Sequence, residues 1–262
     1  MHLTTDLISR RAFVIGSISL SSGLAGCTTT APAVETLPPP AEPAALPIES
    51  AGDAELDARY AAFEDGGHLV PAIPYRSIDP KFYRQRVINP TGEAPGTVVV
   101  DTPNRFLYLV EANGTAMRYG VGIGRDGFAW QGQGVIHWRQ PRPRWKPPAD
   151  MIARQPHLEQ YSVANGGMEP GIQNPLGARA LYIFQNGQDT LYRLHGSPEW
   201  QSIGKAVSSG CVRLLNHDIV DLYTRVPYHA PIVVHQGPLD SAAGTAAKRH
   251  DDTRSLTAVR VP

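Results

Sequence analysis

The sequence predicts a mainly β protein, a barrel or sandwich, with a small helical extension before its first strand and one short helix after Cys211. Three observations carry that expectation. Short runs rich in Val, Leu, Ile and Tyr recur from residue 97 to residue 235 at strand length. They are punctuated by turn sequences, including Asp101-Thr102-Pro103-Asn104 and the Asn-Gly pairs at 113–114 and 186–187. No regular alternation of strands with long helices is visible, which argues against a doubly wound parallel sheet.

Taken in chain order, residues 1–26 read as a secretion signal rather than as folded structure. Arg10 and Arg11 precede a weakly apolar run, and Leu24-Ala25-Gly26 leads to Cys27, so charged, apolar and small-residue regions follow one another as in an export leader. Gly16, Ser17, Ser19, Ser21 and Ser22 interrupt the run, which falls short of the roughly 20 apolar residues a spanning helix needs. The paired arginines resemble a twin-arginine address. The Leu-Ala-Gly-Cys box resembles a bacterial lipoprotein cleavage site, at which Cys27 becomes the lipidated first residue; an ordinary cleaved signal with Cys27 as a bystander is the plainer alternative. Residues 27–52 then form a linker rich in proline and alanine, a composition that favours extended chain and suits a spacer between membrane and domain.

Residues 53–94 read as a helical and irregular extension. Leu56, Tyr60 and Phe63 set a helical spacing over Asp53 to Asp65, with Gly66 as a stop. Strands are expected at 97–100, 105–110, 117–123, 135–138, 180–185, 191–195 and 231–235. Between 216 and 226 the period changes: Asn216 can cap a helix, Asp218 suits its first turn, and Ile219, Leu222, Tyr223 and Val226 share a face. Residues 238–262 read as a flexible tail.

Composition narrows the function. The 262 residues carry 24 Lys and Arg against 24 Asp and Glu, with no charge runs, so nothing points to nucleic acid or to electrostatic membrane binding. Contact with a membrane would run through the lipid on Cys27, and a monomer is the simplest expectation. The chain has two cysteines, and one is either cleaved away or lipidated. Cys211 is therefore an exported thiol without a disulfide partner.

That thiol sits in a chemical setting. His195-Gly196 closes a strand-like segment, where the chain leaves the sheet and function is often carried. Ser208-Ser209-Gly210 precedes Cys211; such small residues let a backbone approach a ligand and aim successive N–H groups at one point, as a tetrahedral oxyanion requires. A neighbouring imidazole can take a thiol proton and leave an ion pair that attacks carbonyls. Three duller readings compete. Cys211 can be a small core hydrophobe, though Gly210 and Arg213 beside it argue for a less apolar place. It can be a zinc ligand with His195 and His217, although no Cys-x-x-Cys or His-x-x-x-His pair supports a metal. It can be a redox sensor, which ordinarily needs a resolving cysteine. His137 and His235 fall in strand-like segments and read as structural; His68, His157 and His229 belong to no motif.

His195-Gly196, Ser202-Ile203-Gly204, Ser208-Ser209-Gly210-Cys211-Val212-Arg213 and Asn216 with Asp218 together resemble the signature of the YkuD-type L,D-transpeptidase catalytic domain. The segments 96–101 and 174–181 resemble further parts of it, and the likeness covers roughly residues 75 to 237, with the domain itself placed at 95–237. It implies a β-sandwich-like fold of mixed sheets acting on peptidoglycan stem peptides, without metal or other cofactor. By position it makes Cys211 the nucleophile and His195 the general base and acid. The Gly196 carbonyl would hold the imidazole, N–H groups of Ser209, Gly210 and Cys211 would form the oxyanion hole, and Ser208 and Arg213 would contact substrate. Arg213 can fork onto a carboxylate, or it can be a plain surface ion pair. The reaction implied cuts the bond between the third stem residue and a terminal D-alanine and passes the acyl group to an amine of a second stem. A lysine of an envelope protein, a free D-amino acid or water would be other acceptors, and a non-catalytic wall-binding lipoprotein is the reading from another class. The whole implies a periplasmic, membrane-anchored enzyme. Trp138, Trp145 and residues 141–148 are a candidate lid over the cleft.

Overall fold

The computed structural model describes residues 51–124, 130–208, 210–237 and 239. The leader, Cys27, most of the linker and the tail from residue 240 lie outside the described residues.

The chain opens with α1 (Asp53–Arg59) and a small antiparallel hairpin of β1 (Phe63–Asp65) and β2 (His68–Val70). The helix is shorter than its apolar spacing predicts. Gly66 and Gly67, at φ +54° and +81°, turn a hairpin here instead of stopping a helix. Short 3-10 turns lead to β3 (Gln85–Ile88), followed by β4 (Val98–Asp101), β5 (Phe106–Val110), β6 (Thr115–Gly120) and β7 (Ile123–Gly124). Then come β8 (Gly132–Pro141), α2 (Ala149–Arg154), β9 (Arg179–Gln185), β10 (Gln188–Ser197), β11 (Ala206–Ser208), β12 (Val212–Leu215), α3 (Asn216–Arg225) and β13 (Pro231–His235).

Nine strands form one mixed sheet in the order β12-β10-β9-β8-β13-β4-β5-β6-β3. Its β10–β12 and β4–β13 pairs are parallel, and the others are antiparallel. The sheet curls until its β12 edge meets the chain leaving β6. Gly122 and Arg213 exchange backbone hydrogen bonds of 2.9 and 2.8 Å there, and β7 pairs with β11 alongside.

The curl encloses one core and leaves a second on its outer side. Val98, Val100, Leu107, Leu109 and Tyr119 face Ile136, Leu181, Ile183, Leu194, Val212 and Leu214 across the first core. Ile219, Leu222 and Val226 of α3 join it. Alternate residues Val99, Phe106, Tyr108 and Val110 turn the other way, onto Tyr60, Ile73, Tyr75, Ile78 and Phe82 of the N-terminal segment. Because both faces are covered, β4 and β5 are buried at every position, and apart from Asp101 they read as apolar runs. Residues 53–94 therefore supply half of a core, and their last strand, β3, pairs with β6 in the main sheet.

Helix α3 starts one place from where its sequence implies. Leu215 holds the capping position without a side-chain cap bond, and Asn216 is the first helical residue. The Asn216 side chain instead reaches sideways, where its Oδ1 accepts from the Ala178 N–H at 2.9 Å. At the other end Arg139 donates to the Tyr223 and Val226 carbonyls, satisfying acceptors the helix leaves open.

Candidate active site

His195 and Cys211 lie on neighbouring parallel strands. The register pairs Leu194 with Val212 and His195 with Arg213, so Cys211, the residue just before β12, falls opposite Arg193. Side chains alternate along a strand. Leu194, Val212 and Leu214 point into the first core, which leaves Arg193, His195 and Arg213 on the opposite face, with Cys211 two residues before Arg213. The antiparallel partner β9 adds Tyr182 opposite Arg193 and Ala180 opposite His195. This spacing explains why a histidine and a cysteine distant in sequence can share a site: one crossover returns the chain beside itself in parallel.

The imidazole is buried and oriented. His195 is 5% exposed, and its Nδ1–H donates to the Gly196 carbonyl at 2.5 Å, which fixes the tautomer and leaves Nε2 as the acceptor. The Gly196 backbone is held in turn. An added Cβ there would meet the Asn216 Oδ1, and would lie 2.9 Å from Ile219 and 3.1 Å from the Ala178 nitrogen. The same Asn216 amide thus bonds the 177–178 turn and packs closely against the strand that carries the histidine.

Burial sets the protonation of both groups. It drives the His195 pKa down to about 4, assisted by the cationic Arg213 and Arg193; the hydrogen bond to Gly196 opposes this. Burial likewise pushes the Cys211 thiol up, against a backbone hydrogen bond at Arg193 and the positive charges of Arg193 and Arg213. A preformed thiolate–imidazolium pair, which the sequence invites, is not what these surroundings favour at rest. They favour a neutral thiol and a neutral imidazole, the state in which an imidazole can accept a thiol proton.

Gly210 stands at φ +128°, a backbone region open to glycine and hostile to other residues. It fixes how the backbone arrives at Cys211. Ser209 lies outside the described residues, and so does the side chain of Ser208, whose backbone pairs in β11 with Gly124. Arg213 donates to Glu199 at 2.7 Å, its own side chain 14% exposed against 61% for the carboxylate. Cys27 lies outside the described residues. Among the described residues no three of His, Cys, Asp or Glu gather as a metal site, and His217 turns away, its Nε2–H donating to the Ala61 carbonyl at 2.7 Å.

Two neighbours escaped the sequence reading. Arg193 places its guanidinium 4.2 Å from the centre of the Tyr182 ring and pairs with Asp189 at 2.7 Å. The alternation back from His195 puts Arg193 on the same face as His195; Tyr182 is invisible without the β9 register. The lid candidates divide. Trp138 belongs to strand β8, whereas Trp145 is bonded through its backbone to Met168 and meets the Tyr161 ring at a tilt of 51° within the segment joining β8 to β9.

A family model described as the L,D-transpeptidase catalytic domain, YkuD, matches residues 95–234. A protein of Escherichia coli K12 described as "Probable L,D-transpeptidase YbiS" is 32% identical over 151 residues, 55% of this chain and 45% of that protein. The chain spans about half the length of the curated relatives it matches first. A solved structure described as a probable carnitine operon oxidoreductase of Brucella melitensis is 46% identical, covering 59% of this chain and 94% of that one at a TM-score of 0.42. An L,D-transpeptidase from Mycobacterium smegmatis is 17% identical, covering 53% and 58% at a TM-score of 0.39. Neither superposition bears on function.

Proposed function

We propose, for a chain that belongs to the YkuD family of L,D-transpeptidase catalytic domains, that Cys211 is the nucleophile of a peptidoglycan cross-linking reaction and His195 its general base and acid. The observation that supports this most is the orientation of the imidazole. With Nδ1–H spent on the Gly196 carbonyl, Nε2 is the free basic nitrogen on the strand beside the one Cys211 precedes.

In this reading a tetrapeptide stem presents the carbonyl of its third residue to Cys211. As Sγ attacks, the thiol proton passes to Nε2, and the carbonyl oxygen becomes an oxyanion facing backbone N–H groups at 209–211. The C–N bond to the terminal D-alanine then breaks, and His195 returns its proton to the leaving amine. The stem remains as a thioester on Cys211. An amine of a second stem attacks next, gives its proton to His195, and forms the new amide as the thiol is restored. The broken amide supplies the driving force for the new one, so no nucleotide is consumed. Arg213 and Ser208 would contact the stem, with the exposed Glu199 exchanged for a substrate carboxylate at Arg213. A lipid on Cys27 and the proline-rich linker would hold the domain in the periplasm as a monomer.

Intact-mass measurement on the full chain with a tetrapeptide donor tests the chemistry. The wild type should gain the stem as a thioester with loss of D-alanine, and Cys211→Ala should gain nothing while melting at an unchanged temperature. Acylation of the Cys211→Ala chain would remove the nucleophile. Adding a stem amine, a lysine peptide or a D-amino acid to the acylated chain reports the acceptor, and the stem should be used in preference to water.

A further inference from the structure

The catalytic residues stand at one end of a row that the proposed reaction does not yet use. On the face opposite the first core, the register aligns four residues: Trp138 on β8 with Tyr182 on β9, Tyr182 with Arg193 on β10, and Arg193 with the position of Cys211, just before β12. Trp138 is 55% exposed, although it lies in the middle of the sheet, where a large apolar ring would ordinarily be covered. A register shift between Ile136 and Trp138 marks a bulge, a device that re-aims side chains. Beyond it the aromatic surface continues: His137 lies 4.8 Å from Phe184 and 4.9 Å from His229, ring centre to ring centre.

We propose that Trp138, with Tyr182 behind it, forms a stacking subsite for the amino sugar that carries the donor stem. This rests on the peptidoglycan reading above and adds what the site does with the rest of its substrate. Neighbouring strands lie about 4.8 Å apart, so three steps from Cys211 put Trp138 about 14 Å away. An extended stem spans about 3.4 Å per residue. From the attacked carbonyl of its third residue back to its first nitrogen is therefore about 10 Å, and the lactyl group joining stem to sugar adds about 4 Å more. The sugar arrives over Trp138. A pyranose offers a face of C–H bonds, positive at hydrogen, to the electron-rich face of an indole, and its hydroxyls stay in water, as a half-exposed ring permits. Between the two ends, Tyr182 and Arg193 form a flat floor, with the guanidinium stacked on the phenol. The geometry assigns Trp138 a part in choosing glycan-borne stems over free peptides.

The test compares two donors on the full chain: a disaccharide-tetrapeptide and the same tetrapeptide without sugar, each followed by acylation of Cys211. Trp138→Ala should lower the ratio of kcat/KM for the sugar-bearing over the sugar-free donor about tenfold, mainly through KM; Trp138→Tyr should restore most of it. An unchanged ratio in Trp138→Ala would overturn the proposal, whether both rates fall together or neither falls. Should neither donor acylate the wild type, the acyl-transfer reading fails by itself. The subsite is then judged by titrating the peptide-free disaccharide against the tryptophan side-chain NMR signals. A shift of the Trp138 indole signal that is lost in Trp138→Ala sustains it, and no shift removes it.

Discussion

Two buried acids and bases answer to pH in opposite senses. The His195 pKa falls from 6.5 to about 4 on folding, so between those values the unfolded chain holds a proton that the native chain lacks, and stability is lost as pH falls through the window. Asp218, wholly buried in the first turn of α3, has both oxygens without a hydrogen-bond partner and sits 3.9 Å from Arg84. Desolvation lifts its pKa from 3.8 to about 7, so between those values the native chain holds the proton, and stability is lost as pH rises. The two contributions offset one another between about pH 4 and 6.5. Separating them gives a sharp expectation. From pH 7 to pH 5, Asp218→Asn should lose about 2 kcal/mol, whereas His195→Asn should gain a similar amount. Thermal melts of the two variants at both pH values should shift in opposite directions by about 5 °C, and parallel shifts would discard the argument.

The element that makes the site is the parallel β10–β12 pair with α3 behind it. Most of its content is legible in the sequence: the strand before His195, the glycine that must precede Cys211, the helix after it. What is hidden is register. Alternation along β10 already puts Arg193 on the face of His195, but Tyr182 joins it only because β9 pairs where it does, and spacing along the chain carries no such information. Asn216 is a second case. Its residue type suits a helix cap, yet it accepts from the Ala178 N–H and packs closely on Gly196, tying elements together instead of capping its own helix. Filling that space should disturb both at once. Gly196→Ala would press on Asn216 and Ile219, costing about 2 kcal/mol or more in urea melts, and would slow Cys211 acylation about 100-fold by tilting the imidazole. An acylation rate within twofold of wild type would show that Gly196 has room to spare.

At the scale of the molecule, the N-terminal segment is more than a spacer. Its aromatic residues cover the outer face of β4 and β5, and Asp65 of its hairpin accepts from Arg179 at 2.5 and 2.7 Å beside Arg142, at the root of the β8–β9 connection. These partners are mostly buried, and the Arg179 hydrogen bonds hold the Asp65 carboxyl well below its usual range. Asp65→Asn should therefore cost about 2 kcal/mol at pH 7 and progressively less as pH falls below 4, where the carboxylate of the unfolded chain takes up a proton that the native one resists. Urea melts at the two pH values check this, and an equal cost at both would refute it. The sequence shows the aromatic residues but not which face of the sheet they serve, because that choice depends on how far the sheet curls. The curl also bears on how a chain of this kind meets extended polymers. Exposed sheet borders template backbone pairing, with neighbouring copies or with any peptide that lies alongside. The clasp between Gly122 and Arg213 occupies the border next to Cys211. On the reading proposed above, a stem would not zip on there as a tenth strand but would come in crosswise, presenting one carbonyl at a time, and neighbouring copies have no seam at that border through which to fuse.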